Sequence, residues 1–178
     1  PEWRKVKAAR KSAVSFETPD VTMPTETRTI AGRNIRLAQA GPADAPLVVL
    51  LSPFPESILS FTGSWEALTE KCRVIAIDLP GFGASEGDRK DMTPTAQGTH
   101  LAAIFEELDL QDIHLVAPDV GMAAALAYVL DHKHRVTSLA VGHGLGAPGP
   151  FKLAFMISML AKFGFMRFTT GLLGAGPL

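Results

Sequence analysis

The feature of this chain best suited to chemistry is a carboxylate set between small residues. In Ala117-Pro118-Asp119-Val120-Gly121, alanine stands two before Asp119 and glycine two after it. A short apolar run, Ile113 to Val116, leads in, and an alanine-rich run of good helix formers leads out. That order reads as a strand, a very tight turn and a helix. Small neighbours let the backbone bend sharply and push the central side chain out at the top of a sheet. There the carboxylate faces the positive end of a helix, which stabilises negative charge and leaves the group available as a nucleophile. Pro-Asp-x-Gly is also common turn chemistry, so Asp119 can equally be read as a cap on the helix that follows.

A second stretch, Ser52-Pro53-Phe54-Pro55-Glu56, breaks the aliphatic run Leu47 to Leu51. A loop at that place can aim the Phe54 N–H toward the same point as the Val120 N–H. Two convergent backbone donors make an oxyanion hole for a tetrahedral intermediate. Ser52, Pro53 and Pro55 would line the site beside them. Asp78, at the end of the run Arg73 to Ile77, is a further candidate for lining the site or anchoring its own loop. Of the histidines, His143 alone follows a strand at the right edge of the sheet. His100 falls on a helix, His114 opens the strand leading to Asp119, and His132 and His134 lie beyond the far end of its helix.

The elements that must position these groups follow from periodicity. Thr25 to Gly41 alternates around Ala31-Gly32 and reads as an antiparallel hairpin. Leu47–Leu51 and Arg73–Ile77 read as strands covered on both faces. Between them Phe61, Trp65, Leu68 and Cys72 share one helical stripe. Thr93-Pro94 opens another helix in the N-cap and first-turn arrangement, with Leu101, Ile104, Phe105 and Leu108 as its apolar stripe. A last strand spans Val136 to Val141. Strands alternating with helices imply right-handed crossovers and an α/β fold, a mostly parallel, doubly wound sheet covered on both sides. Ligands in such sheets sit beyond the carboxyl ends of the strands, where Phe54, Asp78 and Asp119 all fall.

Composition sets the remaining bounds. The 178 residues are 47% apolar and 20% charged, as expected of a globular chain. A net charge of −1 argues against nucleic acid as a partner. The single cysteine, Cys72, cannot form an internal disulfide, and the basic start from Arg4 to Lys11 has no apolar segment behind it, so no secretory signal is read and a cytoplasmic protein is expected. Residues 1–24 read as a basic arm or helix, 25–150 as the core, and 151–178 as a compositionally distinct segment without any acidic residue. Lys152, Lys162 and Arg167 interrupt that segment, so it does not read as a membrane span. No metal site or cofactor is expected.

Two other motif matches fail on context. Gly83-Ala84-Ser85-Glu86-Gly87 satisfies G-x-S-x-G, but Ser85 lies several residues past its strand and a charged loop follows. Gly144-Leu145-Gly146-Ala147-Pro148-Gly149 satisfies G-x-G-x-x-G, yet no acidic residue follows to hold a ribose and the prolines spoil a helix start.

The three productive stretches together resemble the α/β-hydrolases with an aspartate nucleophile, the branch of epoxide hydrolases and haloalkane dehalogenases. Leu51-Ser52-Pro53-Phe54-Pro55-Glu56-Ser57 is similar to the branch's His-Gly-x-Pro-Glu-Ser loop. Ile77-Asp78-Leu79-Pro80-Gly81-Phe82-Gly83-Ala84-Ser85 resembles its Asp-x-x-Gly-x-Gly-x-Ser loop, and Ala117-Pro118-Asp119-Val120-Gly121 resembles Gly-His-Asp-x-Gly. The resemblance runs from about Thr27 to Pro150. It implies a hydrolase in which Asp119 forms an alkyl ester with a small apolar substrate, held at the Phe54 and Val120 N–H groups. It further implies that Phe151 onward begins a helical cap after the sixth strand, and that a C-terminal remainder supplies a catalytic acid and histidine. Haloalkane dehalogenases usually carry Asn and Trp where Phe54 and Val120 stand. Epoxide hydrolases use cap tyrosines, whereas the only tyrosine here, Tyr128, lies on the helix behind the turn. Hydrolysis of lactones or esters, and non-catalytic binding of a small ligand, are the alternatives.

Overall fold

The computed structural model describes residues 22–142. Four features expected from the sequence therefore lie outside the described residues: the basic arm up to residue 21, His143, the glycine motif at 144–149 and the cap segment at 151–178.

Hairpin strands β1 (Thr25–Ile30) and β2 (Arg33–Ala40) pair antiparallel, with Thr25 opposite Ala38 and Ile30 opposite Arg33. Their turn places Ala31 at φ 51° and Gly32 at φ 73°, the left-handed pair whose twist matches that of the flanking strands. The strands β3 (Leu47–Leu51), β4 (Arg73–Ile77), β5 (Ile113–Pro118) and β6 (Val136–Gly142) run parallel to one another, giving the order β1-β2-β4-β3-β5-β6. The winding changes direction at β3, because β4 lies on one side of it and β5 on the other. Chain leaving β3 and chain leaving β5 therefore flank the crevice where such sheets take ligands.

Each face of the sheet has its own helical cover. Helix α1 (Thr62–Thr69) buries Trp65 with Leu50, Ile58, Val74 and Ala76 on one face. The predicted stripe reached Cys72; the helix stops earlier, but Cys72 still packs against the same cluster. Helices α2 (Pro94–Glu107) and α3 (Val120–His132) cover the other face, where Leu101, Ile104 and Phe105 meet Val49, Leu51, Ile75 and Leu115. Each such side chain taken fully from water contributes about 1.5–3 kcal/mol. Thr93 caps α2 by accepting the Ala96 N–H at 3.3 Å, with Pro94 in the first turn. A β-carbon added to Gly98 would stand 2.9 Å from Ala127 Cβ, so the two helices touch along small residues.

Two details differ from the sequence reading. Strand β5 runs on to Pro118, past its apolar run, because Ala117 and Pro118 pair with Val141 and Gly142 of β6. Among the described residues strand β6 forms the sheet edge, and only its Val136 and Leu139 pack against the core, where the sequence reading expects a sheet covered on both sides. Among the described residues, no helix is long and apolar enough to cross a membrane.

Candidate active site

Asp119 is the single residue between β5 and α3, and the geometry of so short a connection shows in its backbone, at φ 51° and ψ −121°. A non-glycine residue held there costs about 1–3 kcal/mol and persists only where its surroundings over-determine it. The surroundings are rigid. The Asp119 N–H donates to Gly142 O at 2.9 Å, extending the β5–β6 pairing through the turn, and its carbonyl accepts the Met122 N–H at 3.1 Å in the first turn of α3. Ala117 is fully buried, and a β-carbon on Gly121 would stand 3.1 Å from Leu51 Cβ.

The turn aims the side chain across the crevice. The Phe54 N–H, in the loop after β3, donates to Asp119 Oδ2 at 2.8 Å. Val120 is the first residue of α3, so its N–H has no acceptor within the helix and belongs to the positive helix end. Among the described residues Oδ1 receives no hydrogen bond. Among the described residues the carboxylate thus has one oxygen held and one free.

The loop bearing Phe54 is fastened at both ends to the chain that leaves β4. At its start the Ser52 N–H donates to Ile77 O at 3.0 Å, and the Ser52 hydroxyl accepts the Leu79 N–H at 3.0 Å. At its end the Ile58 N–H donates to Asp78 Oδ1 at 2.9 Å. Asp78 Oδ2 accepts the Arg36 Nε–H at 2.6 Å and the Ala84 N–H at 2.9 Å. The Phe82 ring, from the same post-β4 loop, meets the Phe54 ring edge-on at 6.0 Å.

The structure therefore brings Asp119 and Phe54 into contact and places Val120 at the turn beside them. Ser52, Pro53 and Asp78 are buried, with the Ser52 hydroxyl and the Asp78 carboxylate engaged in holding loops. Pro55 and Phe54 are exposed, Phe54 by 54%. Ser85 of the G-x-S-x-G match is a latch: its hydroxyl donates to Asp78 O at 2.7 Å and accepts the Arg36 N–H at 2.9 Å. Among the described residues no histidine bonds Asp119. His100 meets Asp91 at 3.1 Å, His114 meets Ser138 at 2.8 Å, and His132 stacks on Tyr128 at 4.8 Å. A cavity of about 290 Å³ between α2 and α3, lined by Thr95, Gly98, Ala127, Leu130 and His132, contains none of these site residues.

Neither Arg36 nor Phe82 stands out in the sequence as a site residue. Arg36 alternates with the apolar Ile35 and Leu37 on one strand, a pattern that ordinarily marks a solvated side chain, so its pairing with Asp78 has no local signal. Nothing local marks Phe82 as a neighbour of Phe54.

Known proteins share this fold. The family described as the alpha/beta hydrolase fold matches residues 46–168. A haloalkane dehalogenase of Psychrobacter cryohalolentis is 33% identical over 116 residues, which is 64% of this chain and 38% of that protein. The crystal structure of haloalkane dehalogenase DbeA-M1 loop variant from Bradyrhizobium elkanii has a TM-score of 0.60 at 27% identity, covering 66% of this chain and 39% of that one. Epoxide hydrolase VrEH1 from Vigna radiata has a TM-score of 0.63 at 24% identity, covering 79% and 46%, a likeness of fold alone. The chain spans less than half the length of the curated relatives it matches, 38% for the dehalogenase.

Proposed function

Because the chain belongs to the α/β-hydrolase fold family, we propose that it carries the nucleophilic half of a hydrolase acting on a small apolar electrophile, an epoxide or an organohalide. The observation that carries this is the carboxylate of Asp119, on a strained turn, with Oδ2 held by the Phe54 N–H at 2.8 Å. The dehalogenase relative supports the substrate class.

In this reading Oδ1, the free oxygen, attacks the electrophilic carbon. A carbon–oxygen bond forms as the carbon–halogen or ring carbon–oxygen bond breaks; the halide departs, or the ring oxygen stays on the alkylated product as an alkoxide that takes a proton from solvent. Oδ2 becomes the carbonyl oxygen of the ester. A histidine-activated water then adds to the carboxyl carbon, giving its proton to the histidine, and the charge that develops on Oδ2 rests on the Phe54 and Val120 N–H groups. Collapse expels the alkoxide, which takes the remaining proton of the new carboxyl, so the alcohol leaves, the carboxylate is restored and the histidine returns its proton to solvent. The histidine and the acid that orients it belong, in this proposal, to a C-terminal remainder, and a cytoplasmic location is part of the same proposal. The share of its relatives that the chain spans is the support for that remainder.

The test is a single turnover of the full-length protein, with styrene oxide and with bromobutane, in water labelled with heavy oxygen. Attack of water on the ester leaves the label in Asp119 and none in the first product, and Asp119→Asn should lower turnover by at least about a thousandfold. Label in the first product would replace this mechanism with direct attack by water. Binding of both compounds without turnover, unchanged in Asp119→Asn, would make the protein a ligand binder.

A further inference from the structure

We propose that Asp78 is a positioning residue for the oxyanion hole, holding the Phe54 N–H on Asp119 through the loop from Ser52 to Ile58; the inference rests on the nucleophilic reading above. The Asp78 carboxylate is completely buried. Removing a carboxylate from water is expensive unless its oxygens are fully matched, and here they are. Arg36 of β2 supplies the opposite charge in a pair with 18% of the arginine side chain exposed. Ile58 and Ala84 supply one N–H each, from the loops after β3 and after β4. Gly83 closes over the group so tightly that a β-carbon there would stand 2.2 Å from the carboxyl.

The loop bearing Phe54 depends on this cluster. One end is tied by Ser52 to Ile77 and Leu79, the two residues that bracket Asp78, and the other end by Ile58 to the Asp78 carboxylate itself. The Phe82 ring, carried on the loop that Asp78 also holds through Ala84, abuts the Phe54 ring. Loosening Asp78 therefore frees Phe54 from two directions while leaving Asp119 on its own turn.

The two chemical steps respond differently. In ester formation negative charge leaves the Asp119 carboxylate, so the Phe54 hydrogen bond weakens on the way to the transition state and its loss matters little. In ester hydrolysis charge builds on Oδ2, so a displaced donor slows the step. An Asp78→Asn variant removes the charge and one acceptor while keeping the size. Ester hydrolysis should fall about ten- to a hundredfold, with ester formation changed less than about threefold, so that alkylated enzyme accumulates.

The experiment mixes full-length wild type and Asp78→Asn with styrene oxide or bromobutane, quenches in acid, and follows the ester on Asp119 by intact mass. The ratio of the two rate constants does not depend on how much protein is folded, so a purely structural role leaves it unchanged. Arg36→Lys, which keeps the opposite charge but not the fork, should shift the ratio in the same direction by less, and serves if Asp78→Asn does not fold. An unchanged ratio in every variant that folds overturns the positioning role. Absence of any ester on wild type overturns the nucleophilic reading instead.

Discussion

Gly121 and Leu51 stand so close that a β-carbon on the glycine would lie 3.1 Å from Leu51 Cβ, with Leu51 itself fully buried in a central strand. This approach sets the N-terminus of α3 against the end of β3, and with it the spacing between Val120 and Phe54. Helix propensity favours alanine over glycine by up to about 1 kcal/mol. The contact outweighs that gain, because a strand inside the sheet cannot retreat. Gly121→Ala should therefore lower the stability to urea by a net of about 1–2 kcal/mol. An unchanged midpoint would mean that α3 can slide away from β3.

At Asp119 the backbone conformation, φ 51° and ψ −121°, should be measurable as stored strain. Asp119→Gly and Asp119→Ala both lose the carboxylate and its bond to Phe54, and they differ only in the β-carbon. Glycine should be the more stable of the two by about 1–2 kcal/mol, with both variants inactive. Equal melting temperatures would place the turn in an ordinary conformation in solution.

Asp91 is buried and its carboxyl is held below the ordinary range. The Asp88 N–H contributes most at 2.6 Å, burial opposes it, and His100 and Arg33 add to the lowering. A lowered folded value means that the stabilisation is complete above the unfolded value of 3.8 and disappears as the pH falls through the folded one. The melting temperature of Asp91→Asn should lie below that of wild type near neutral pH, by a gap that closes as the pH falls below about 4. A gap that persists undiminished in strong acid would remove the carboxylate's charge from the explanation.

The Tyr128 hydroxyl is buried and has no partner among the described residues, and burial pushes its pKa up. Its ring packs edge-on to Phe105 at 5.0 Å, a contact that phenylalanine preserves. Tyr128→Phe should be neutral or stabilising by up to about 1–2 kcal/mol. A loss of more than about 1 kcal/mol in chemical denaturation would show that the hydroxyl has a partner in the folded protein.

Much of this was readable from local residues. The runs Leu47–Leu51 and Val74–Ile77 are apolar throughout because helices cover both faces of their strands, which span Leu47–Leu51 and Arg73–Ile77. Small residues around Asp119 mark the tight strand-to-helix turn because a larger side chain at Gly121 would meet Leu51. Such signals come from neighbours within a few positions, and the sequence alone determines them. The tertiary structure decided the rest. Phe54 and Asp119 are 65 residues apart and meet only because β3 and β5 are adjacent, a strand order that no local pattern encodes. Which carboxylate oxygen is held, and that Asp78 draws together Arg36, Ile58 and Ala84, follow from the same long-range packing. Local residues dictate the shape of each element; the sheet order dictates which elements share an edge, and the site lies on that edge.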